Sequence, residues 1–144
     1  MNFLAVEDKI IKRLSGLGYR VYPVRDVKFA KTQEQFAPCV FVTYHGEGGI
    51  ESTAQTATVK QIWLVIVVMP NERNPRSGSQ ARKKGGEMMG DIIPKLQGWL
   101  PEPGFTALKM SPSPVQHGWD DKYLYHPLAF TTTTRLKGDM LCQP

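Results

Sequence analysis

The 144 residues of the chain fit one domain of common size, with apolar content for one core and not for two. No apolar run approaches the ~18–20 residues of a membrane helix, and the two cysteines, Cys39 and Cys142, make neither a disulfide framework nor a zinc spacing. The net charge of +5 is uneven: Lys/Arg against Asp/Glu stand at eight to six in residues 1–70, five to one in 71–84 and five to six in 85–144. The excess therefore sits in the stretch NERNPRSGSQARKK. Such a segment either meets nucleic acid or an acidic protein surface, or is a solvated loop.

Asn2–Leu14 places Phe3, Val6, Ile10 and Leu14 at helical spacing with charges on the other face, and Ser15-Gly16 and Gly18 stop it. This start has no basic n-region and apolar h-region, so a cytoplasmic origin is expected. Tyr19–Val27 reads as an edge strand, because Pro23 cannot donate to a ladder. Lys28–Ala37 is a polar loop or helical turn. Pro38–Tyr44 is a strand with Val40, Val42 and Tyr44 on one face and Cys39, Phe41 and Thr43 on the other; Cys39 reads as a small buried apolar residue.

Gly46–Thr56, GEGGIESTAQT, has no usable period and reads as a long hairpin loop, suited to docking. Thr58–Met69, TVKQIWLVIVVM, becomes apolar on both faces from Ile62 onward, which predicts a central strand covered on each side. From Ser79 the period turns helical, with Ala81, Gly85, Met88, Met89, Ile92, Ile93 and Leu96 on one stripe. Gly85-Gly86 calls for a close approach of helix to sheet, and Pro94 is expected to kink or interrupt the helix at the carbonyl of Gly90. The amphipathic stretch Ala81–Pro103 closes in a Gly-Trp-Leu-Pro corner.

Phe105–Met110 is a short strand and Ser111–Asp121 a Pro/Gly-rich connection. Lys122–Leu136 is a long final strand, in which Pro127 implies an edge or a bulge and Thr131–Thr134 suits a solvent-exposed or inter-subunit edge. Residues 1–137 form the single domain and 138–144 a flexible tail.

The sequence holds no GxxxxGK[ST], GxGxxG, HExxH or GxSxG. His117 with Asp120 and Asp121 is the most metal-like cluster, but QHGWDD reads as turn chemistry. The expectation is a non-enzyme with no cofactor and no metal. A nucleic-acid reader should interleave a basic face with exposed aromatics, whereas the aromatics here fall on strand faces.

The order of parts is distinctive. An N-terminal amphipathic helix precedes the strand PCVFVTY and a Trp-containing central strand; then come an Asn/Arg loop, an Ala81-Arg82…Gly helix ending Leu96-Gln97-Gly98-Trp99-Leu100-Pro101, and the last strand Tyr125-His126-Pro127-Leu128-Ala129-Phe130. Over residues 3–136 this resembles the tail terminator (tail completion) proteins of long-tailed bacteriophages and phage-like particles. The resemblance implies an α+β fold (two-layer α/β): a mixed, mostly antiparallel sheet with the N-terminal helix and a second amphipathic helix packed on it. It also implies a structural virion protein, assembled in the host bacterial cytoplasm, that forms a hexameric ring. That ring caps the tail tube protein, stops polymerisation and gives the head-tail connector protein a surface to join, with DNA passing through its lumen. A subunit of this length has a radius of gyration of ~15 Å, so six around a ring leave a hole wide enough for duplex DNA. On this reading Glu47, Gly48, Gly49 and Ile50 dock to a neighbour or the tube. Arg73, Arg76 and Arg82 face acidic protein surfaces or the lumen, while Trp99 and Leu100 form a structural corner. The alternatives are a neck connector or minor tail protein, or a nucleic-acid-binding module using residues 71–84.

Overall fold

The computed structural model describes residues 1–33, 36–71, 78–120 and 122–139. Its axis is β3 (Thr56–Pro70), which pairs antiparallel with β2 (Cys39–Ser52) on one side and with β6 (Tyr123–Lys137) on the other. Beyond β2 lies β1 (Val21–Pro23), parallel to it and at the sheet edge; beyond β6 lie β4 (Lys109–Ser111) and β5 (Gly118–Asp120), both antiparallel to it. Helices α1 (Val6–Ser15) and α3 (Ser79–Leu96) cover one face, and a single turn, α2 (Val27–Ala30), belongs to the other. This is the expected α+β fold, with a mixed and mostly antiparallel sheet.

The two-faced apolar run explains why β3 is central. Trp63, Val65, Val67 and Met69 join Val6, Ile10 and Leu14 of α1 and Ala81, Met88, Ile92 and Leu96 of α3 in one core. Leu64, Ile66 and Val68 join Cys39, Phe41, Tyr125 and Ala129 in a second, smaller core with Val24 and Ala30. Burying each such aliphatic side chain is worth ~1.5–3 kcal/mol, so the two faces together hold the subunit. Burial also pushes the Cys39 thiol up to about 12, as expected of an inert core residue; Cys142 lies outside the described residues.

α1 starts four residues later than the apolar spacing suggests, because residues 3–5 form a turn in which Leu4 N–H donates to Asn2 Oδ1 (2.9 Å). In α2 the Asp26 side chain caps the helix by accepting from Phe29 N–H (2.7 Å). α3 runs through Pro94 to Leu96 without interruption, and Gln97 N–H still reaches the Ile93 carbonyl at 2.8 Å. Gly90, whose carbonyl loses its partner, is exposed to water and the helix ends two residues after the proline, so the defect is cheap. Gly85 lies against the sheet, but a Cβ there would stand 3.6 Å from Leu124 Cδ2, an ordinary contact, and Gly86 is exposed with nothing within 4 Å, so the expected close approach does not account for the pair.

The corner after α3 is structural at Gly98 and Trp99 but not at Leu100, which is 55% exposed. Gly98 takes the left-handed conformation (φ 77°), its N–H reaches the Leu108 carbonyl at 2.8 Å, and half-buried Trp99 packs on the main core with the Arg13 guanidinium 4.8 Å above its ring.

Expectations on the last strand and on the segment before it are corrected in part. Pro127 is not in a bulge, since its register with Ile66 is unbroken, and β6 is not an edge strand as a whole; the proline instead sits at a local gap in the outer edge, between β5, opposite residues 123–125, and β4, opposite residues 129–131. No partner strand opposes it there, so its missing N–H costs little. The Thr131–Thr134 run is not an edge either. Thr132 and Thr134 are buried, and their hydroxyls donate to the carbonyls of Thr106 (2.6 Å) and Gly104 (2.8 Å). The segment Phe105–Leu108 forms only an isolated bridge to Thr134, and the short strand comes later, at Lys109–Ser111. The threonine hydroxyls bind a segment too irregular to continue the ladder. At the chain end, Gly138 N–H reaches the Gln55 carbonyl (2.7 Å), while residues 140–144 of the expected tail lie outside the described residues.

Candidate functional site

The largest correction concerns Gly46–Thr56, which is not a loop. β2 continues to Ser52, and only Thr53–Gln55 turn the chain, with the Thr53 hydroxyl accepting from the N–H groups of Gln55 (3.1 Å) and Thr56 (3.0 Å). Two bulges hide the strand from its sequence: the register skips His45 between Tyr44 and Gly46 and skips Gly48 between Glu47 and Gly49. Each bulge leaves a residue unpaired and breaks the two-residue period. Glycine is required at Gly46 by its backbone and favoured at Gly48 by the closeness of a side chain. Gly46 has φ 128°, and a Cβ on Gly48 would lie 2.9 Å from Ile62 Cδ1.

β2 and β3 therefore form a long hairpin whose far end stands beyond the helices. Among the described residues, β1 meets β2 only at Val40–Val42, and no strand pairs with the outer edge of β2 from Thr43 to Ser52. Glu47, Gly48, Gly49 and Ile50 all lie on this free edge, and Ile50 is 62% exposed. Beneath them Tyr44 packs on Trp63 with ring centroids 4.9 Å apart, and burial, reinforced by the Glu47 carboxylate, pushes its phenol up to about 12. Gln61, fully buried, ties the hairpin base to the N-terminus: its Nε2 donates to the Phe3 carbonyl (2.6 Å) and its Oε1 accepts from Trp63 Nε1 (3.0 Å). A lone glutamine at the point where β3 becomes wholly apolar is its sequence signal.

The arginines are elsewhere. Arg73 and Arg76 lie outside the described residues. Arg82, exposed on the first turn of α3, sits 6.0 Å over the ring of Trp119, which is itself 43% exposed. Arg82 lies next to the Pro70 end of β3, whereas Glu47 and Ile50 stand opposite Gln61 and Val59, roughly 30 Å away at ~3.3 Å per residue. The structure thus separates the predicted site into two surfaces. Trp119 is absent from the sequence expectations, its only signal being an aromatic in a Pro/Gly-rich connection.

His117 stacks on His126 with centroids 5.5 Å apart, and burial, with the neighbouring His117, lowers the pKa of His126. Among the described residues no three His, Cys, Asp or Glu side chains converge as metal ligands would. No helix among the described residues is long and apolar enough to cross a membrane.

The subunit thus combines a two-faced core with a hairpin that has one free edge among the described residues. The model of the family described as phage tail terminator protein matches residues 1–139. The chain belongs to the phage tail terminator family. It is accordingly a tail structural protein. Among solved structures, a chain of the "Virion of native gene transfer agent (GTA) particle" is similar at 12% identity and a TM-score of 0.58, with 96% of this chain and 100% of that chain covered. At that identity the likeness speaks to the fold alone. No curated protein sequence matches the chain.

Proposed function

We propose that this terminator assembles as a closed ring of six copies in the virion, caps the tail tube, ends its polymerisation and offers the head connector its joining surface. Family membership supports the tail role, and the free edge of β2 carries the ring. An open sheet has two unlike edges, here β2 from Thr43 to Ser52 on one side and the short β4 on the other. A contact between unlike edges of successive copies is head-to-tail, and such contacts generate rings when the rotation closes. Unpaired strand edges invite partner backbone, and Ile50 adds an exposed apolar side chain to this one.

Electron microscopy with light-scattering mass tests the reading. Wild-type protein should give six-fold rings, free or on tube ends, and Ile50→Lys should shift the population toward monomer with an unchanged circular dichroism spectrum. A wild-type monomer that never joins tube ends sinks the proposal. Binding at the head vertex instead would mark a neck connector, and binding elsewhere on the tail a minor tail protein. Arg73→Ala with Arg76→Ala tests the basic segment separately, since unchanged rings and tail length would free it of any assembly role.

A further inference from the structure

The hairpin's far end has a second open surface besides its edge. Cross-strand partners share a sheet face, so the register fixes which side chains stand with Ile62 on the face away from α1 and α3. Lys109 pairs with Thr131, which pairs with Ile62; Thr133 pairs with Lys60, which pairs with Gly49. Arg135 pairs with Thr58, which pairs with Glu51, and Lys137 pairs with Thr56. One sheet face thus presents Lys60, Lys109, Arg135 and Lys137, all exposed, with Glu51 the single carboxylate among these register partners. Neither salt bridge found among the described residues, Lys9–Glu102 or Arg25–Asp26, involves any of the four cations. The shallow groove over this face is lined by Gly49, Ile50, Glu51, Thr58, Lys60 and Thr133.

We propose that this face, carried by Lys60, Lys109, Arg135 and Lys137, is a sequence-independent contact surface for the phosphate backbone of duplex DNA. Its chemistry suits phosphate better than protein. Stable protein interfaces have an apolar core depleted of charge, whereas the apolar side chain within this face, Ile62, is half-buried and packed on its own core, and exposed Ile50 reaches the groove only at its β2 rim. Phosphate contacts come from Lys, Arg and Thr side chains, and the hydroxyls of Thr58 and Thr133 stand between the cations, while that of Thr131 donates to the Lys109 carbonyl (3.4 Å). From Thr131 to Lys137 the row runs ~20 Å at ~3.4 Å per residue, a length over which duplex DNA presents about a dozen phosphates. The surface belongs to one subunit and is distinct from the segment 71–84.

The test is fluorescence anisotropy of the full chain with two unrelated 25-base-pair duplexes across a salt series. Four phosphate contacts predict that binding weakens ~100-fold between 50 and 200 mM salt, equally for both sequences. Lys60→Glu with Arg135→Glu should bind more weakly at every salt and lose only ~10-fold over the same range, while Lys83→Ala with Lys84→Ala on α3 should leave binding unchanged. Circular dichroism confirms that the variants are folded. Absence of binding at 50 mM salt overturns the proposal, as does loss carried by the α3 pair alone. Capture of tail tubes, but not of DNA, through Lys60 and Arg135 also overturns it and makes the face an acidic-protein contact. Because isolated chain suffices, failure here leaves the ring reading standing, and failure to form rings leaves the DNA result standing.

Discussion

The two ends of the sheet are built by opposite rules. At the end marked by Cys39, Pro70 and Tyr123, both faces of β3 are aliphatic and both are covered, by α1 and α3 on one side and by α2 and its neighbours on the other. At the end marked by Ser52, Thr56 and Lys137, one face is capped by the Gly104–Leu108 segment through threonine hydroxyls, while the other face and the β2 edge stay open. The same three strands run through both ends, so the ladder transmits order from the covered end to the open one. A subunit that must meet partners needs bare surface, and an apolar core at one end lets the other remain polar without unfolding.

The contrast predicts unequal responses to mutation. Trp63→Ala, which empties the fully buried centre of the main core, should cost ~3–5 kcal/mol, read from urea unfolding. Ile50→Ala at the open end should stay within about 0.5 kcal/mol. Equal effects would mean that the open end is covered in solution. The capped face gives an intermediate case. Thr132→Val strands the Thr106 carbonyl under a methyl group and should cost ~1–3 kcal/mol, whereas Thr133→Val on the open face should be near neutral. Comparable losses at the two positions would deny the hydroxyl its capping role.

The smallest effect is a pH response confined to the covered end. Burial and the stacked His117 lower the His126 pKa below its ordinary 6.5. The unfolded chain therefore takes up a proton before the folded one does. Stability from this site is full above pH 6.5 and is lost as pH falls from there through the folded value. Amide exchange should rise first along β5 and the adjoining part of β6, and His126→Gln should remove that response. Loosening that begins instead at the β2–β3 hairpin would reverse the comparison.

Much of this architecture is legible in the residues. The alternating aliphatic faces of β3 and the α3 stripe come straight from periodicity, because burial on one face or two is a local pattern. Gly46–Ser52 escapes that logic, since two bulges and three glycines erase the period that marks a strand. Thr132 and the local character of the edge at Pro127 escape it for a different reason: their setting depends on where β4, β5 and the Gly104–Leu108 segment lie, which is tertiary. Of the candidate site, the exposure of Glu47–Ile50 was readable and its strand conformation was not. The basic face was invisible, because Lys60 and Arg135 are far apart in sequence and only register unites them.

The paired bulges at His45 and Gly48 carry a consequence for how the open end is aimed. Both interrupt β2 within four residues, both occur where the strand leaves the helices behind, and β3 opposite is continuous. A bulge bends and twists its strand, so these two unpaired residues set an angle without contributing to the ladder. Deleting either would leave each remaining pair opposite its present partner. A chain that gained or lost one such residue would keep its core and its register, yet point its hairpin in another direction.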